Sequence, residues 1–415
     1  MKILYVSQYF PPEMGAPAAR AVELARHWVR AGHDVTVLTG FPNHPTGVVP
    51  EQWRPRLRNL VYREDVEGIR VVRTWLLPLP NRKAHERMLN YGSFCVSAAW
   101  RGMELSRPDV VIATSPQLLV GLSGWSISFW KRVPFIFEVR DLWPESLSAV
   151  GVGSDNSLLH CVLGKIAGFL YRKADRVVVV TPAFKDHLMN HWQLPGDKIS
   201  IVENGVESSL FAPEAAEAAL KEQLGLKDKF VAAYIGTMGM AHGLDTLIDV
   251  ASKLKQSDPD ISLLLVGEGA DKERVQAIAR ERQLSNITFV GQQPREKIPA
   301  FIGASDVCLV LLKKTELFKT VIPTKMLEFM SCAKPVILGV DGQARQILDE
   351  AHAGITIEPE NAVALADAIR RLKADPTAGR AFGQSARAYI VERCSREQSA
   401  KQYVRVLQEV LKRST

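Results

Sequence analysis

Short runs of β-branched and aliphatic residues recur along the chain, each followed by a stretch whose apolar positions fall three or four apart. This alternation predicts strand–helix–strand units on a parallel sheet. The first run is KILYVSQYF; the loop PPEMGAPAAR follows, then a helix with Ala21, Leu24, Ala25 and Trp28 on one face and Gly32 at its end, then the strand DVTVLTG. Further strands are expected around 69–76 and at DVVIATS, FIFEVRD, RVVVVT and KISIVENG. The pattern then restarts. FVAAYIGTMG reads as a buried strand with a glycine turn and LDTLIDVASKLKQS as an amphipathic helix, followed by ISLLLVGEG, a helix over 271–283, NITFVG, DVCLVLL, a helix over 324–332 and KPVILGV. Each half is thus predicted to be an open α/β sheet with helices on both faces. The segment NGVESSLFAPE, about 204–214, joins the halves as a hinge of glycine, serines and proline. A mixed-charge helix over about 395–412 ends the pattern.

The chain has 415 residues, 47% of them hydrophobic and 23% charged. That length accommodates two or three domains, each with its own core, and that composition excludes a disordered or low-complexity chain. The most apolar stretch, about 109–137, is interrupted by Pro116, Lys131, Arg132 and Pro134, so no run reaches the ~20 residues of a spanning helix. The opening MKILYVSQYF lacks a long apolar core and a small-residue cleavage site, so no secretory signal is expected. Cys95, Cys161, Cys308, Cys332 and Cys394 are odd in number and form no C-x-x-C pair; a reducing cytosol is expected, not a disulfide framework or zinc site. The net charge of +7 is unevenly spread. Residues 1–190 carry 23 basic and 16 acidic side chains, whereas 191–415 carry 29 of each. The first half is therefore expected to meet an anionic partner.

Several short segments carry candidate chemistry. Pro12-Glu13-Met14-Gly15-Ala16-Pro17 joins the first strand to the first helix, whose N-terminus offers free N–H groups to an anion. A plain strand–helix turn is the competing reading. Gly236-Thr237-Met238-Gly239, followed by Ala241-His242-Gly243, holds the same place in the second half, and two such loops suggest a ligand held between domains. VGEG at 266–269 follows a later strand and lacks a third glycine, which excludes a dinucleotide fingerprint. In ELFKTVIPTKMLE, residues 316–328, Pro323 and Thr324 mark a helix start, with Lys325 in its first turn and Glu328 one turn on. A helix N-terminus with a lysine suits a diphosphate, and a carboxylate one turn later suits a pair of sugar hydroxyls; a surface i,i+3 ion pair is the alternative.

FEVRDLWPE, residues 137–145, ends a buried strand where open α/β enzymes keep polar chemistry, with Asp141 as a base or orienting group and Arg140 as an anion clamp. A local salt-bridged turn competes with that reading. Asp258-Pro259-Asp260 has D-x-D spacing, but it precedes a strand and so faces away from the strand C-termini. Arg82, Lys83, Arg87 and Arg101 lie among Met88, Leu89, Tyr91, Phe94, Val96 and Trp100; with Trp125, Phe129 and Trp130 they suit an anionic lipid surface, or else an ordinary amphipathic helix.

Taken as a set, PPExG, GHDVTVLT, NGV, the G-x-x-G turn, P-T-K-x-x-E and KPVI resemble glycosyltransferase family 4 over nearly the whole chain, and EVRDLWPES resembles its L-fucosamine-transferase-like branch of bacterial surface-polysaccharide synthesis. The resemblance implies the GT-B fold of class α/β: two Rossmann-like open parallel-sheet domains facing a central cleft. The acceptor-binding domain would occupy 1–205 and the nucleotide-sugar-binding domain 206–392, with the helix of 393–415 packing back toward the first. It implies a nucleotide-sugar donor, usually UDP-linked, no metal or other cofactor, and retention of configuration helped by the leaving phosphate. The acceptors of this branch are sugars on a polyprenyl diphosphate at the inner membrane face. By position, Glu328 matches the glutamate that holds the donor ribose, Gly236 to Gly239 the turn near the diphosphate, and Gly15 the first-domain loop beside the phosphates. Arg140-Asp141 stand where many members carry a histidine-containing pair. Two places depart from the family. Thr320 stands where the E-x7-E pattern has an acid, with Glu316 nearby and out of register, and Thr237 and His242 stand where many members have arginine and lysine. Lys325 with its helix N-terminus is then the expected source of positive charge.

The expected protein is a retaining glycosyltransferase that moves an N-acetylated hexosamine-type sugar from a UDP-linked donor to a polyprenyl-diphosphate-linked or saccharide acceptor. It would work in the cytoplasm, bound peripherally to an anionic membrane surface. The expected catalytic residues are Asp141, Arg140 and Glu145. The expected donor site is Gly236, Thr237, Gly239, His242, Lys325, Glu328, Glu316, Thr324 and Gly15, and the membrane or acceptor face is Arg82, Lys83, Arg87 and Trp100. A nucleotide-sugar epimerase of the same fold and a non-catalytic basic-surface binding protein are the alternatives. A helix-turn-helix, zinc or RNP-type motif is missing, so a nucleic-acid partner is not expected.

Overall fold

The computed structural model describes residues 1–44, 46–79, 84–146, 158–213 and 218–414. They form two compact units, Met1–Asn204 with Glu397–Thr415, and Gly205–Arg396.

The first unit is built on β1 (Lys2–Val6), β2 (Asp34–Gly40), β3 (Val61–Val66), β4 (Ile69–Thr74), β5 (Val110–Thr114), β6 (Phe135–Val139), β7 (Arg176–Val179) and β8 (Ile199–Ile201). Their order across the sheet is β3-β4-β2-β1-β5-β6-β7-β8. Neighbours run parallel except the edge pair β3–β4. The central strands are buried on both faces, which is why they read as unbroken aliphatic runs. The edge strand β3 escaped the sequence pattern because VYREDV carries three charges and is only half-buried. It folds back on β4 through Glu67 and Gly68, both with positive φ, a two-residue turn that matches the twist of a hairpin.

Helix Ala16–Arg30 lays Ala21, Leu24, Ala25 and Trp28 into the core beside Ile3 and Tyr5. Its end is closed by the N–H groups of Gly32 and His33 on the Val29 and Trp28 carbonyls. The Trp28 ring meets Tyr5 and Tyr403 edge-on, with centroids 5.4 and 5.2 Å away. Tyr403 belongs to the terminal helix Arg396–Ser414, whose Leu407 and Val410 lie in the same core cluster.

The second unit contains β9 (Phe230–Ile235), β10 (Ile261–Val266), β11 (Ile287–Val290), β12 (Val307–Leu311), β13 (Val336–Gly339) and β14 (Gly354–Thr356), in the order β11-β10-β9-β12-β13-β14. All pairs are parallel. One apolar cluster covers each face of this sheet. The two connecting segments lie side by side: Val206 N–H donates to the Cys394 carbonyl and Arg396 N–H to the Val206 carbonyl, both at 2.9 Å. A Cβ on Gly205 would stand 2.6 Å from the Ser395 carbonyl oxygen, so only glycine fits there.

In each sheet the strand order reverses beside the first strand, between β1 and β5 and between β9 and β12. The loops leaving β1 and β9 therefore open at a switch point, where doubly wound sheets bind ligands. Asp258 and Asp260 instead precede β10 and pair with Arg370 at 2.9 Å and Lys373 at 2.6 Å.

Candidate functional site

In the second unit the chain leaves β9 at Gly236, which has φ +139°, and turns through Thr237, Met238 and Gly239. The glycines of VGEG have a structural purpose that their spacing did not reveal. A Cβ on Gly267 would lie 2.0 Å from the Gly236 carbonyl oxygen, so the loops after β9 and β10 touch backbone to backbone. Met238 N–H donates to the Glu268 carbonyl at 2.8 Å and Asp271 N–H to the Met238 carbonyl at 3.0 Å, which fixes the loop. Thr237 is exposed at its tip, and its carbonyl accepts from the Tyr234 hydroxyl at 2.6 Å.

Helix Thr324–Ser331 starts beside this loop, with Pro323 as its N-cap and no capping side chain, so Thr324 is the first helical residue and not a cap. Lys325 reaches back from the first turn. Its Nζ sits 3.8 Å above the centre of the Tyr234 ring and 3.7 Å from where a Gly236 Cβ would be. The ammonium is sealed from solvent and makes no hydrogen bond. Burial pushes it down to about 7, partly offset by the charge of Glu328. His242 is a brace, not a source of charge: burial and the nearby Lys325 push its imidazole down to about 3. Its Nδ1 lies 3.3 Å from the Gly239 N–H and 3.2 Å from the Gly239 carbonyl, so either tautomer ties the ring to the loop.

The i,i+3 ion pair between Lys325 and Glu328 does not form. Glu328 Oε1 instead accepts from Arg295 Nη1 at 2.8 Å, and the Arg295 guanidinium lies 4.7 Å from the centre of the Phe211 ring. Arg295 was not legible as a site residue, since it arrives from a turn after β11, far away in sequence. Glu316 stands apart from this group, with its side chain 89% exposed and paired with Lys319 at 2.6 Å.

In the first unit Gly15, with φ +122°, is the N-cap of helix Ala16–Arg30. Ser115, just after β5, accepts the N–H groups of Arg140 at 2.7 Å and Asp141 at 3.3 Å through its Oγ, which fixes the end of β6. Arg140 Nη2 donates to the Ala16 carbonyl at 3.3 Å, while Nε and Nη1 are sealed and without a hydrogen bond. Burial pushes the Asp141 carboxyl up to about 6 against the pull of Arg140. The salt bridge of this segment is not local. Glu138 pairs with Arg20 at 2.8 Å, both fully buried, and accepts from the Tyr5 hydroxyl at 2.9 Å. Glu145 meets His187 at 3.0 Å; burial raises its carboxyl, but His187 and then His191 hold it below the usual range overall. Glu13 accepts the N–H groups of Asn43 and His44 at 2.9 Å each, and burial pushes it up to about 7.

Helix Ala84–Glu104 divides the residues expected to meet a membrane. Leu89, Val96 and Trp100 form one exposed stripe, Trp100 at 68%. Arg87 does not belong to it: at about 100° per residue it falls roughly 160° around the helix from Leu89. It is half-buried and, with Asp141, acts electrostatically on the buried Tyr91. Arg82 and Lys83 lie outside the described residues. Helix Val120–Lys131 packs on the same helix and exposes Phe129 and Trp130. With Trp125, Arg132 and Lys173 these line an open groove of about 620 Å³. Among the described residues no helix is long and apolar enough to cross a membrane.

Two doubly wound parallel units, each with a glycine turn and a helix N-terminus at the switch point of its sheet, define the GT-B class of fold. Residues 15–205 match the family model "Glycosyl transferase 4-like domain" and residues 216–389 match "Glycosyl transferases group 1". The chain is a glycosyltransferase built from these two domains. It is 25% identical over 397 residues to WcaI of Escherichia coli K12, a glycosyl transferase assigned provisionally to colanic acid biosynthesis, covering 89% of this chain and 92% of that one. It also resembles the solved structure of Anabaena HepE in complex with UDP and glucose, with a TM-score of 0.74, 18% identity, and 98% and 99% of the two chains covered. WaaG, a glycosyltransferase involved in lipopolysaccharide biosynthesis, superimposes with a TM-score of 0.70 at 15% identity, covering 98% of this chain and 99% of that one.

Proposed function

We propose that this glycosyltransferase takes its sugar, an N-acetylated hexosamine, from a UDP-linked donor held by the second unit. It passes the sugar, with retained configuration, to a polyprenyl-diphosphate-linked or saccharide acceptor in bacterial surface-polysaccharide synthesis. The observation that carries this reading is Lys325, a buried cation without a hydrogen-bond partner at a helix N-terminus and beside a glycine loop. A buried charge of this kind is costly unless something matches it, and a diphosphate supplies both the charge and the acceptor oxygens. Lys325 then takes the role that arginine and lysine play elsewhere in the family, and Glu328 holds the ribose. HepE with UDP and WcaI in polysaccharide assembly support the donor and the pathway class.

In the reaction the bond from the anomeric carbon to the diphosphate breaks, the acceptor hydroxyl forms its bond on the same face, and its proton passes to the departing phosphate oxygen. Negative charge grows on the diphosphate, so Lys325 and the helix N–H groups act most strongly as the bond breaks. In the first unit Arg140 and Asp141 orient the acceptor, Asp141 as its carboxylate. No metal is required in this scheme, and transfer should persist in excess EDTA. The exposed Leu89, Val96, Trp100, Phe129 and Trp130, with the basic excess of residues 1–190, support docking on an anionic membrane.

Calorimetric titration of UDP-, GDP-, dTDP- and ADP-sugars against the wild type and Lys325→Met tests the donor reading. UDP-sugars should bind, and the variant should bind them far more weakly. Equal affinity in the two proteins sinks the site. Flotation with phosphatidylglycerol liposomes should retain the wild type at low salt and lose Trp100→Asp.

A further inference from the structure

We infer that Arg295 is a positioning residue for the donor: it holds the Glu328 carboxylate in the one orientation that reads the ribose hydroxyls of the nucleotide. The inference rests on the donor reading above and adds to it a residue that lies outside the sequence motifs.

Arg295 opens the turn Arg295–Lys297, which follows β11, and reaches helix Thr324–Ser331 from outside it. Its Nη1 donates to Glu328 Oε1 at 2.8 Å, while its guanidinium lies over Phe211 with Cζ 4.7 Å from the ring centre. The two side chains are only 22% and 12% exposed, so the pair is not a solvated surface contact of small worth. The platform beneath it is itself anchored. Phe211 is fully buried, and its carbonyl accepts from Ser331 Oγ at 2.6 Å and Arg387 Nη1 at 2.9 Å. Ser331 ends the same helix that carries Glu328. Ring, guanidinium, carboxylate and helix therefore form one braced group.

Two properties of the pair make it a device for orientation. A guanidinium offers its donors in a planar fork, so it fixes a carboxylate's direction as well as its position, which a lysine cannot do. The aromatic face below removes the swing that a long side chain would otherwise keep. Glu328 also lies one helical turn from Lys325, the distance at which the two would close on each other as an i,i+3 pair. Arg295 takes the carboxylate instead, and Lys325 is left without a hydrogen-bond partner. The same contact thus sets the direction of the carboxylate and keeps the cation available.

The test compares UDP with 2′,3′-dideoxy-UDP by calorimetry on the wild type, Glu328→Gln, Arg295→Ala and Arg295→Lys, with a thermal unfolding scan of each. The wild type should prefer UDP by roughly tenfold or more, the usual consequence of a site built to bond a hydroxyl. Both Glu328→Gln and Arg295→Ala should lose most of that preference, the double variant should lose no more than either, and Arg295→Lys should fall between. A structural role would weaken both nucleotides alike and leave their ratio unchanged. If Glu328→Gln loses the preference while both Arg295 variants keep it, Arg295 does not position the carboxylate. If the wild type shows no preference, or Glu328→Gln keeps it, the ribose reading of Glu328 fails, and this inference with it. Should Arg295→Ala not fold, the Arg295→Lys ratio decides.

Discussion

The two units share a doubly wound parallel sheet, yet the buried charge in the core of the first and the buried cation at the switch point of the second are treated in opposite ways. In the core of the first, away from Arg140 and Asp141, buried charge is matched by the protein itself. Arg20 and Glu138 are both within 1% of full burial and bond each other, Tyr5 donates to the same carboxylate, and Arg20 also grips the Val202 and Glu203 carbonyls. Arg73 pairs with Glu64 at 2.7 Å and donates to the Pro11 and Gly40 carbonyls. In the second unit the cation at the switch point rests on an aromatic face and has no hydrogen bond at all. A matched pair holds structure and is costly to break from one side, whereas an unmatched cation taxes the empty protein and is relieved by an anion. The difference separates scaffold from binding site on physical grounds, without appeal to position in the fold.

That contrast can be broken most severely in the first unit. Glu138→Gln leaves Arg20 buried beside a neutral group, and the unfolding free energy from urea titration should fall by about 3–5 kcal/mol. Lys325→Met should do the reverse, leaving stability equal or higher while raising the Kd for UDP roughly 10–100-fold, the equivalent of about 1.5–3 kcal/mol for lost charge-assisted bonds. A large stability loss in Lys325→Met would erase the distinction between the units.

The pH dependence sharpens the same point. Folded Lys325 titrates near 7 and an unfolded lysine near about 10.4, so between those values the unfolded chain binds more protons. The Lys325 contribution to stability should therefore rise with pH across that window, while UDP affinity falls as the ammonium is lost above about 7. Both trends should vanish in Lys325→Met. Asp141, raised to about 6, should give transfer activity an acid limb that falls as pH drops through about 6, and Asp141→Asn should flatten it. The smallest effect belongs to Glu316. As an exposed partner of Lys319 its replacement by Ala should change stability by under ~1 kcal/mol and leave UDP affinity unaltered.

Much of the fold was legible because it rests on local periodicity. Aliphatic runs marked every central strand, since a parallel strand covered on both faces admits little else. The helix start at Thr324 followed from the proline before it, whereas the first helix begins at Ala16, inside the stretch read as a loop. The edge strand β3 was missed, since an edge is partly wet and its charges break the pattern. Within the candidate site, Lys325, Glu328, Gly236 and the Arg140-Asp141 pair could be named from motif and position. Arg87 and Trp100, expected together, lie on different sides of their helix, because basic and aromatic residues in one segment do not reveal which side of a helix each takes until the helix is docked.

The sequence by itself determined two α/β units, the glycine loops at their switch points and the helix that presents Lys325, because each depends on residues a few positions apart. Tertiary structure alone decided the partners. Arg20 found Glu138 across 118 positions, Arg295 found Glu328 across 33, and the VGEG glycines turned out to serve a loop contact. A charge's partner is whichever group the packed chain brings within about 3 Å, and no local spacing encodes that. Whether a lysine is paired or left waiting for an anion is for the same reason a property of the folded unit.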